Sequence, residues 1–233
     1  MGFSNGTPTI STDGLVFAVD AGNSQSYVSG SLDTFSLVSS NTGSIHNDVD
    51  FSSANQGSWV FDGSDDNIVC GDIPAISGAT EVSISMWMKF TTDMAFSIVA
   101  GKNLVVDDNG FQFYCWSANE LRIWIKSGGT GTTSMVNISS LTSVGEWNNF
   151  VIVFNGALAN DERCKLYLNG GTDILTNNGT MPTTFTNNTE PYLIARGTNG
   201  YLTGEVANTL IYNKALSEAE VTQNYNATKG RFI

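Results

Sequence analysis

Apolar and polar residues alternate along most of this chain, which is the period of a strand buried on one face. In EVSISMWMKF, Val82, Ile84, Met86, Met88 and Phe90 share one face and Glu81, Ser83, Ser85, Trp87 and Lys89 the other. GFQFYCW sets Phe111, Phe113 and Cys115 against Gln112, Tyr114 and Trp116. LRIWIK sets Leu121, Ile123 and Ile125 against Arg122, Trp124 and Lys126, and CKLYLN sets Cys164, Leu166 and Leu168 against Lys165, Tyr167 and Asn169. GLVFAVD, SWVFD, DNIVC, FSIVA, TSMVNI and WNNFVIVF read as further strands. Turn chemistry separates them at Asp62-Gly63, Asp108-Asn109-Gly110, Ser127-Gly128-Gly129 and Asn169-Gly170-Gly171. Short strands with turns between them predict an all-β, two-sheet antiparallel sandwich. One domain over residues 14–233 is expected, preceded by a loose N-terminal arm, residues 1–13.

The pattern changes only near the end. In ALSEAEVTQNYN, Ser217 is placed to cap a helix and Glu220, three residues on, completes a capping box. Leu216 before the cap and Val221 inside the helix form the pair expected of a hydrophobic staple. Val221 and Tyr225 share a face that can dock on a sheet. A helix of about two turns is marginal alone in water, so it is expected to exist by packing, covering an edge or seam of the sandwich.

Composition narrows the function classes. The 233 residues carry a formal net charge of −12 and only ten Lys and Arg. No basic stripe is present, which argues against nucleic acid and anionic lipid surfaces as partners. No run is long and apolar enough for membrane insertion. The N-terminus lacks the charged and apolar regions of a signal peptide; synthesis in a cytoplasm is expected, and the sequons at Asn5, Asn137, Asn178, Asn187 and Asn226 are discounted. Cys70, Cys115 and Cys164 are odd in number and widely spaced, and read as small buried hydrophobes rather than a disulfide framework.

SWVFDGSDDNIVCGDIP, EVSISMWMKF, WNNFVIVF, CKLYLNG and the closing GEVANTLIYNKALSEAEVTQNYN together resemble concanavalin A-like lectin/glucanase domains of the laminin G-like type, over roughly residues 14–229. The resemblance implies a two-sheet antiparallel jelly-roll sandwich with a short C-terminal helix. TDGLVFAVDAGNSQSY and YNATKGRF resemble lectin-like domains in virion structural proteins of tailed phages, notably of marine bacteria. That resemblance implies a non-enzymatic virion structural protein in a tail, fibre or head decoration. It would be made in a bacterial cytoplasm, located on the virion, bound to other virion proteins and able to contact host surface glycans. A stand-alone carbohydrate-binding module is the alternative, and a glycoside hydrolase a further one.

The residues themselves offer little catalysis. His46 is the only imidazole, and no G-x-S-x-G surrounds a serine. Glycosidases need two carboxylates flanking the scissile bond, and the E-x-D-x-x-E strand of the fold's glucanases is missing; Glu146 is followed by amides, and Asp161 and Glu162 are adjacent. The resemblance also implies a rim calcium, a cation that takes six to eight oxygens. Candidates are Asp20, Asp62, Asp65, Asp66 and Glu205, although Ala207 and Asn208 follow Glu205 where another carboxylate is wanted. Asp62 and Asp65 also suit turn capping. The most informative feature is aromatic: Trp87, Tyr114, Trp116, Trp124 and Tyr167 lie opposite the aliphatic faces of their strands. With Gln112, Arg122 and Asn169 they could stack and hydrogen-bond a sugar. Equally, loops or a second copy in a homo-oligomer could cover them.

Overall fold

The structure, a computed structural model, describes residues 9–90, 97–103, 109–117, 120–137, 144–176, 179–197 and 200–233, with the side chains of 136 and 137 outside it. The strands are β1 (Leu15–Asp20), β2 (Asp33–Phe35), β3 (Thr42–His46), β4 (Asp50–Ser52), β5 (Ser58–Asp62), β6 (Asn67–Val69), β7 (Glu81–Phe90), β8 (Ile98–Gly101) and β9 (Gly110–Ser117). They continue as β10 (Glu120–Ser127), β11 (Thr130–Asn137), β12 (Trp147–Asn155), β13 (Cys164–Leu168), β14 (Leu193–Ile194), β15 (Arg196–Gly197), β16 (Gly200–Tyr201) and β17 (Thr203–Tyr212), before helix α1 (Glu218–Thr228).

Two antiparallel sheets form the sandwich. The seven-stranded sheet runs β13-β12-β7-β17-β5-β4, with β1 also paired to β17; the eight-stranded sheet runs β11-β10-β9-β8-β14-β6-β3-β2. The aliphatic faces meet between them. Val82, Ile84, Met86, Met88 and Phe90 of β7 pack in one core with Phe111, Phe113 and Cys115 of β9 and Leu121, Ile123 and Ile125 of β10. Alternation thus reads correctly strand by strand. The short strands β2, β4 and β14 to β16 carry too few residues to show a period, and β3 has one large apolar side chain, Ile45, so the sequence did not announce them. Ser127-Gly128-Gly129-Thr130 closes the β10–β11 hairpin, with φ of 57° and 78° at the two central glycines. Both values are positive, as a type I′ turn requires. The expected Asp108-Asn109-Gly110 turn begins, at Asp108, outside the described residues.

All three cysteines are free and buried, and burial pushes their thiols well above the usual range. They are small core residues, as expected. Residues 9–13 are not loose: Ser11 N–H donates to Asn224 Oδ1 at 2.7 Å, Tyr212 Oη donates to Ser11 O at 3.0 Å, and Lys214 reaches Asp13 at 2.7 Å. Residues 1–8 lie outside the described part.

Helix α1 forms as the capping box predicts. Glu220 N–H donates to Ser217 Oγ, and Ser217 N–H donates back to Glu220 Oε2 at 2.9 Å. The Ser217 backbone, with Lys214 and the Ser217 hydroxyl, pulls the Glu220 carboxyl down to about 2. A carboxyl depressed on folding stabilises above its ordinary pKa of about 4.3 and loses that contribution as pH falls toward 2. The helix is three turns rather than two, and it covers a face, not an edge. Leu216 and Val221 pack with Ala18, Val151, Val153, Tyr167, Leu210 and Tyr212 on the outer side of the seven-stranded sheet. The residues after it clasp that sheet. Arg231 Nη1 donates to both Asp20 oxygens, at 2.7 and 2.9 Å, and its Nε and Nη2 donate to Asn55 O and Gly57 O.

The loops beyond β6, β8 and before β14 are held by one residue that has no local mark along the chain. Lys102 is fully buried, and its Nζ donates to Asp72 Oδ1 at 2.8 Å, Asn188 O and Oδ1 at 3.0 Å, and Glu190 O at 2.7 Å. Asn188 Nδ2 returns a bond to Lys102 O at 3.1 Å. Among the described residues no helix is long and apolar enough to cross a membrane.

Candidate functional site

The outward aromatic residues do not form one surface; they fall on two sheets with opposite fates. Trp87 and Tyr167 belong to the seven-stranded sheet and are buried, 1% and 2% exposed. The Trp87 ring stacks between Phe232 (centroids 4.2 Å apart) and Tyr225 (5.7 Å), and its Nε1 donates to Thr228 Oγ1 at 2.8 Å. Tyr167 lies under α1 in the Leu216–Val221 cluster, and that burial pushes its hydroxyl up to about 12. Neither ring is open to a ligand. For these two the expectation of sugar contact is corrected, because α1 and the chain after it supply the covering surface. Asn169 is likewise a turn residue: at φ 53° it starts the bend after β13, donating to Asn148 Oδ1 and accepting from Asn149 N–H.

Tyr114, Trp116, Arg122 and Trp124 sit together on the outer face of the eight-stranded sheet. The β9–β10 register sets Tyr114 opposite Arg122 and Gln112 opposite Trp124. Directly opposed residues in an antiparallel pair share a face. Trp116 is 46% exposed, and Tyr114, Arg122 and Trp124 are half-buried. The Arg122 guanidinium lies over the Trp116 ring, Cζ to centroid 4.2 Å, and its Nε donates to Glu120. Burial opposes the Arg122 charge, but hydrogen bonds to Glu120 and Tyr114 outweigh it and raise the pKa. The guanidinium is therefore held in place as a planar donor on an aromatic bed.

A second element borders this face. The β15–β16 hairpin runs against β8, and a side chain at Gly197 would meet Ile98 at 2.7 Å and Gln112 at 3.4 Å. Ile98 lies opposite Tyr114 in the register, so the hairpin backbone presses onto the same outer face. It leaves Gln112 only 8% exposed. Gln112 thus supports the hairpin rather than facing an open surface, a correction to its expected role. The hairpin adds Arg196, whose guanidinium is 5.8 Å from the Tyr201 ring; neither residue was singled out in the sequence.

The acidic candidates also divide. Asp62, Asp65 and Asp66 have carboxylate oxygens within 4.8 Å of one another. They line a hollow of about 500 Å³ with Asn47, Asp48, Asp50 and Val60. Burial, together with the neighbouring Asp62, Asp65 and Asp48 charges, raises the Asp66 pKa. This hard-oxygen set suits calcium in donor type. Two of its members also cap the local turn, Asp66 accepting from Asp62 N–H at 3.0 Å and Asp62 from Ser64 N–H at 2.7 Å. Asp20 and Glu205 do not join them. Asp20 is taken by Arg231, and Glu205 pairs with Lys89 at 2.6 Å and accepts from Ser58 Oγ at 2.7 Å. Each already has a cation, so their expected part in a metal site is corrected. His46 is exposed on β3.

Comparisons with known proteins agree with this architecture. A profile of the concanavalin A-like lectin/glucanases superfamily matches residues 62–222. No curated protein matches the sequence. Among solved structures, the chain is similar to domain 4 of AbnA, a GH43 extracellular arabinanase from Geobacillus stearothermophilus, in complex with arabinotriose. Identity is 15%, coverage 91% of this chain and 98% of that one, and TM-score 0.66. It is also similar to the binding domain of botulinum neurotoxin DC in complex with SialylT (13% identity, 93% and 52% coverage, TM-score 0.69). The botulinum neurotoxin serotype D binding domain gives 13% identity, 91% and 51% coverage and a TM-score of 0.67. The chain spans about half the length of the toxin domains and nearly all of the arabinanase domain. At these identities the likeness is one of fold.

Proposed function

The chain belongs to the concanavalin A-like lectin/glucanases superfamily, and we propose that it is a non-catalytic lectin-like module that contacts glycan through the outer face of its eight-stranded sheet. The observation that carries this reading is the group of exposed Trp116 and half-buried Tyr114 and Trp124 gathered there around a fixed Arg122. The equivalent aromatic surface of the other sheet is sealed. Rings supply broad apolar contact, and a few oriented polar groups supply direction, the composition of a ligand site. Catalysis has no support on this face: Glu120, the carboxylate described there, is tied to Arg122, and glycoside cleavage needs two. Similarity to an arabinanase domain that binds arabinotriose adds to the reading.

Placement on a tailed-phage virion, beside other virion proteins, is the finer form of this proposal. It is supported by the resemblance of the chain's two ends to lectin-like virion domains, and recovery of the chain's peptides from purified particles tests it. The glycan reading is tested by Trp116→Ala and Trp124→Ala, which should weaken binding on a glycan array about tenfold or more each while leaving the melting temperature within about 2 °C of wild type.

Calcium at Asp62, Asp65 and Asp66 belongs to the same proposal. Bound ion would relieve the mutual repulsion of these carboxylates and fix the turn between β5 and β6. A ligand at a hundred times its Kd stabilises by about 2.7 kcal/mol. Chelator is therefore expected to lower Tm by roughly 5–10 °C, and Asp65→Asn to abolish that sensitivity; an unchanged melt counts against the ion.

A further inference from the structure

We infer that the ligand of this face is an uncharged glycan several sugars long, lying along β9 and β10, rather than a single terminal or acidic sugar; the inference rests on the glycan-contact reading above. Trp116 and Trp124 sit on neighbouring strands, and with Gln112 opposite Trp124 and Tyr114 opposite Arg122 they are displaced by about four residues along the strand direction. At a rise of about 3.3 Å per residue the two indoles mark out roughly 13 Å, a span of about two to three linked sugar units. Tyr114 and Arg122 fill the middle of the line. One monosaccharide would meet only one ring and leave the rest of the line unused.

The β15–β16 hairpin presses on Ile98 and Gln112, so it borders the row of rings on its β8 side. A chain can lie along such a border, whereas a terminal sugar is held by a pocket closed around it.

Arg122 is paired with Glu120, and Arg196 on the bordering hairpin lies against the Tyr201 ring. The Arg122 guanidinium therefore offers directional N–H donors with little net positive charge. The chain as a whole carries −12, which repels a polyanion approaching from solution. Hydroxyl groups of a neutral chain can accept from Arg122 without that penalty.

The experiment uses the full chain on an array of neutral gluco-, manno-, xylo-, galacto- and arabino-oligosaccharides, graded from single sugars to long chains, with polygalacturonate as the polyanion. For at least one neutral series the signal should rise about tenfold or more from single sugar to trisaccharide and then level off, with polygalacturonate at background. Trp124→Ala should flatten that rise, and Trp124→Phe should restore most of it, which separates a lost ring from a misfolded strand. If single sugars bind as well as trisaccharides, or polygalacturonate exceeds every neutral chain, the inference falls and glycan contact stands. Silence across the array overturns both.

Discussion

Lys102→Met should be among the most destabilising single substitutions in the protein, costing about 3–5 kcal/mol. The side chain is fully buried and its ammonium meets Asp72, both oxygens of Asn188 and the Glu190 carbonyl. Methionine fills similar volume but donates nothing. It takes the ammonium from Asp72 and the Glu190 carbonyl and leaves Asn188 Oδ1 only the Glu190 N–H, and hydrogen bonds to a charged group contribute about 1.5–3 kcal/mol each. At about 2–4 °C per kcal/mol for a domain of this size, Tm should fall by roughly 10 °C. Asp72→Asn should cost less, because the Asp72 side chain is 29% exposed and water can replace part of what it loses. A Lys102→Met variant melting with wild type would show that the network holds nothing together.

Trp87→Ala is expected to cost about 3–5 kcal/mol, the usual range for deleting a buried tryptophan. The indole joins the seven-stranded sheet to α1 and the residues after it, between Tyr225 and Phe232 and with Thr228 on its N–H. Its loss opens a cavity and frees the clasp in which Arg231 holds Asp20. The same variant separates the two aromatic surfaces. At a temperature where it remains folded it should bind glycan as wild type does, since Trp87 lies on the other sheet from Trp116 and Trp124. Loss of glycan binding in a folded Trp87→Ala protein would place the site on the wrong sheet here.

Much of the fold was legible because its cause is local. Two-residue alternation in β7, β9, β10 and β13 told correctly which residues face the core, and Ser217 with Glu220 announced α1. What alternation cannot tell is which sheet a strand joins. Trp87 and Trp124 have the same pattern around them, yet one is sealed and the other only half-buried, because sheet membership is fixed by pairing across the chain: β7 with β12 and β17, β10 with β9 and β11. The ion pairs were hidden for the same reason. Asp20 and Glu205 looked like free carboxylates until folding brought Arg231 and Lys89 to them. Lys102, in the plain run Gly101-Lys102-Asn103, carries no local mark of its burial. Of the carboxylates, Asp62, Asp65 and Asp66, close in sequence, are also together in the structure.

The central claim is that glycan meets the protein on the outer face of the eight-stranded sheet. The most direct measurement is the glycan-array signal of a Trp116→Ala/Trp124→Ala double variant against wild type, with both melts recorded. A signal reduced about a hundredfold or lost, at nearly unchanged Tm, is the predicted result, each ring contributing on the order of 1.4 kcal/mol. A folded double variant that binds every glycan as wild type does would contradict it.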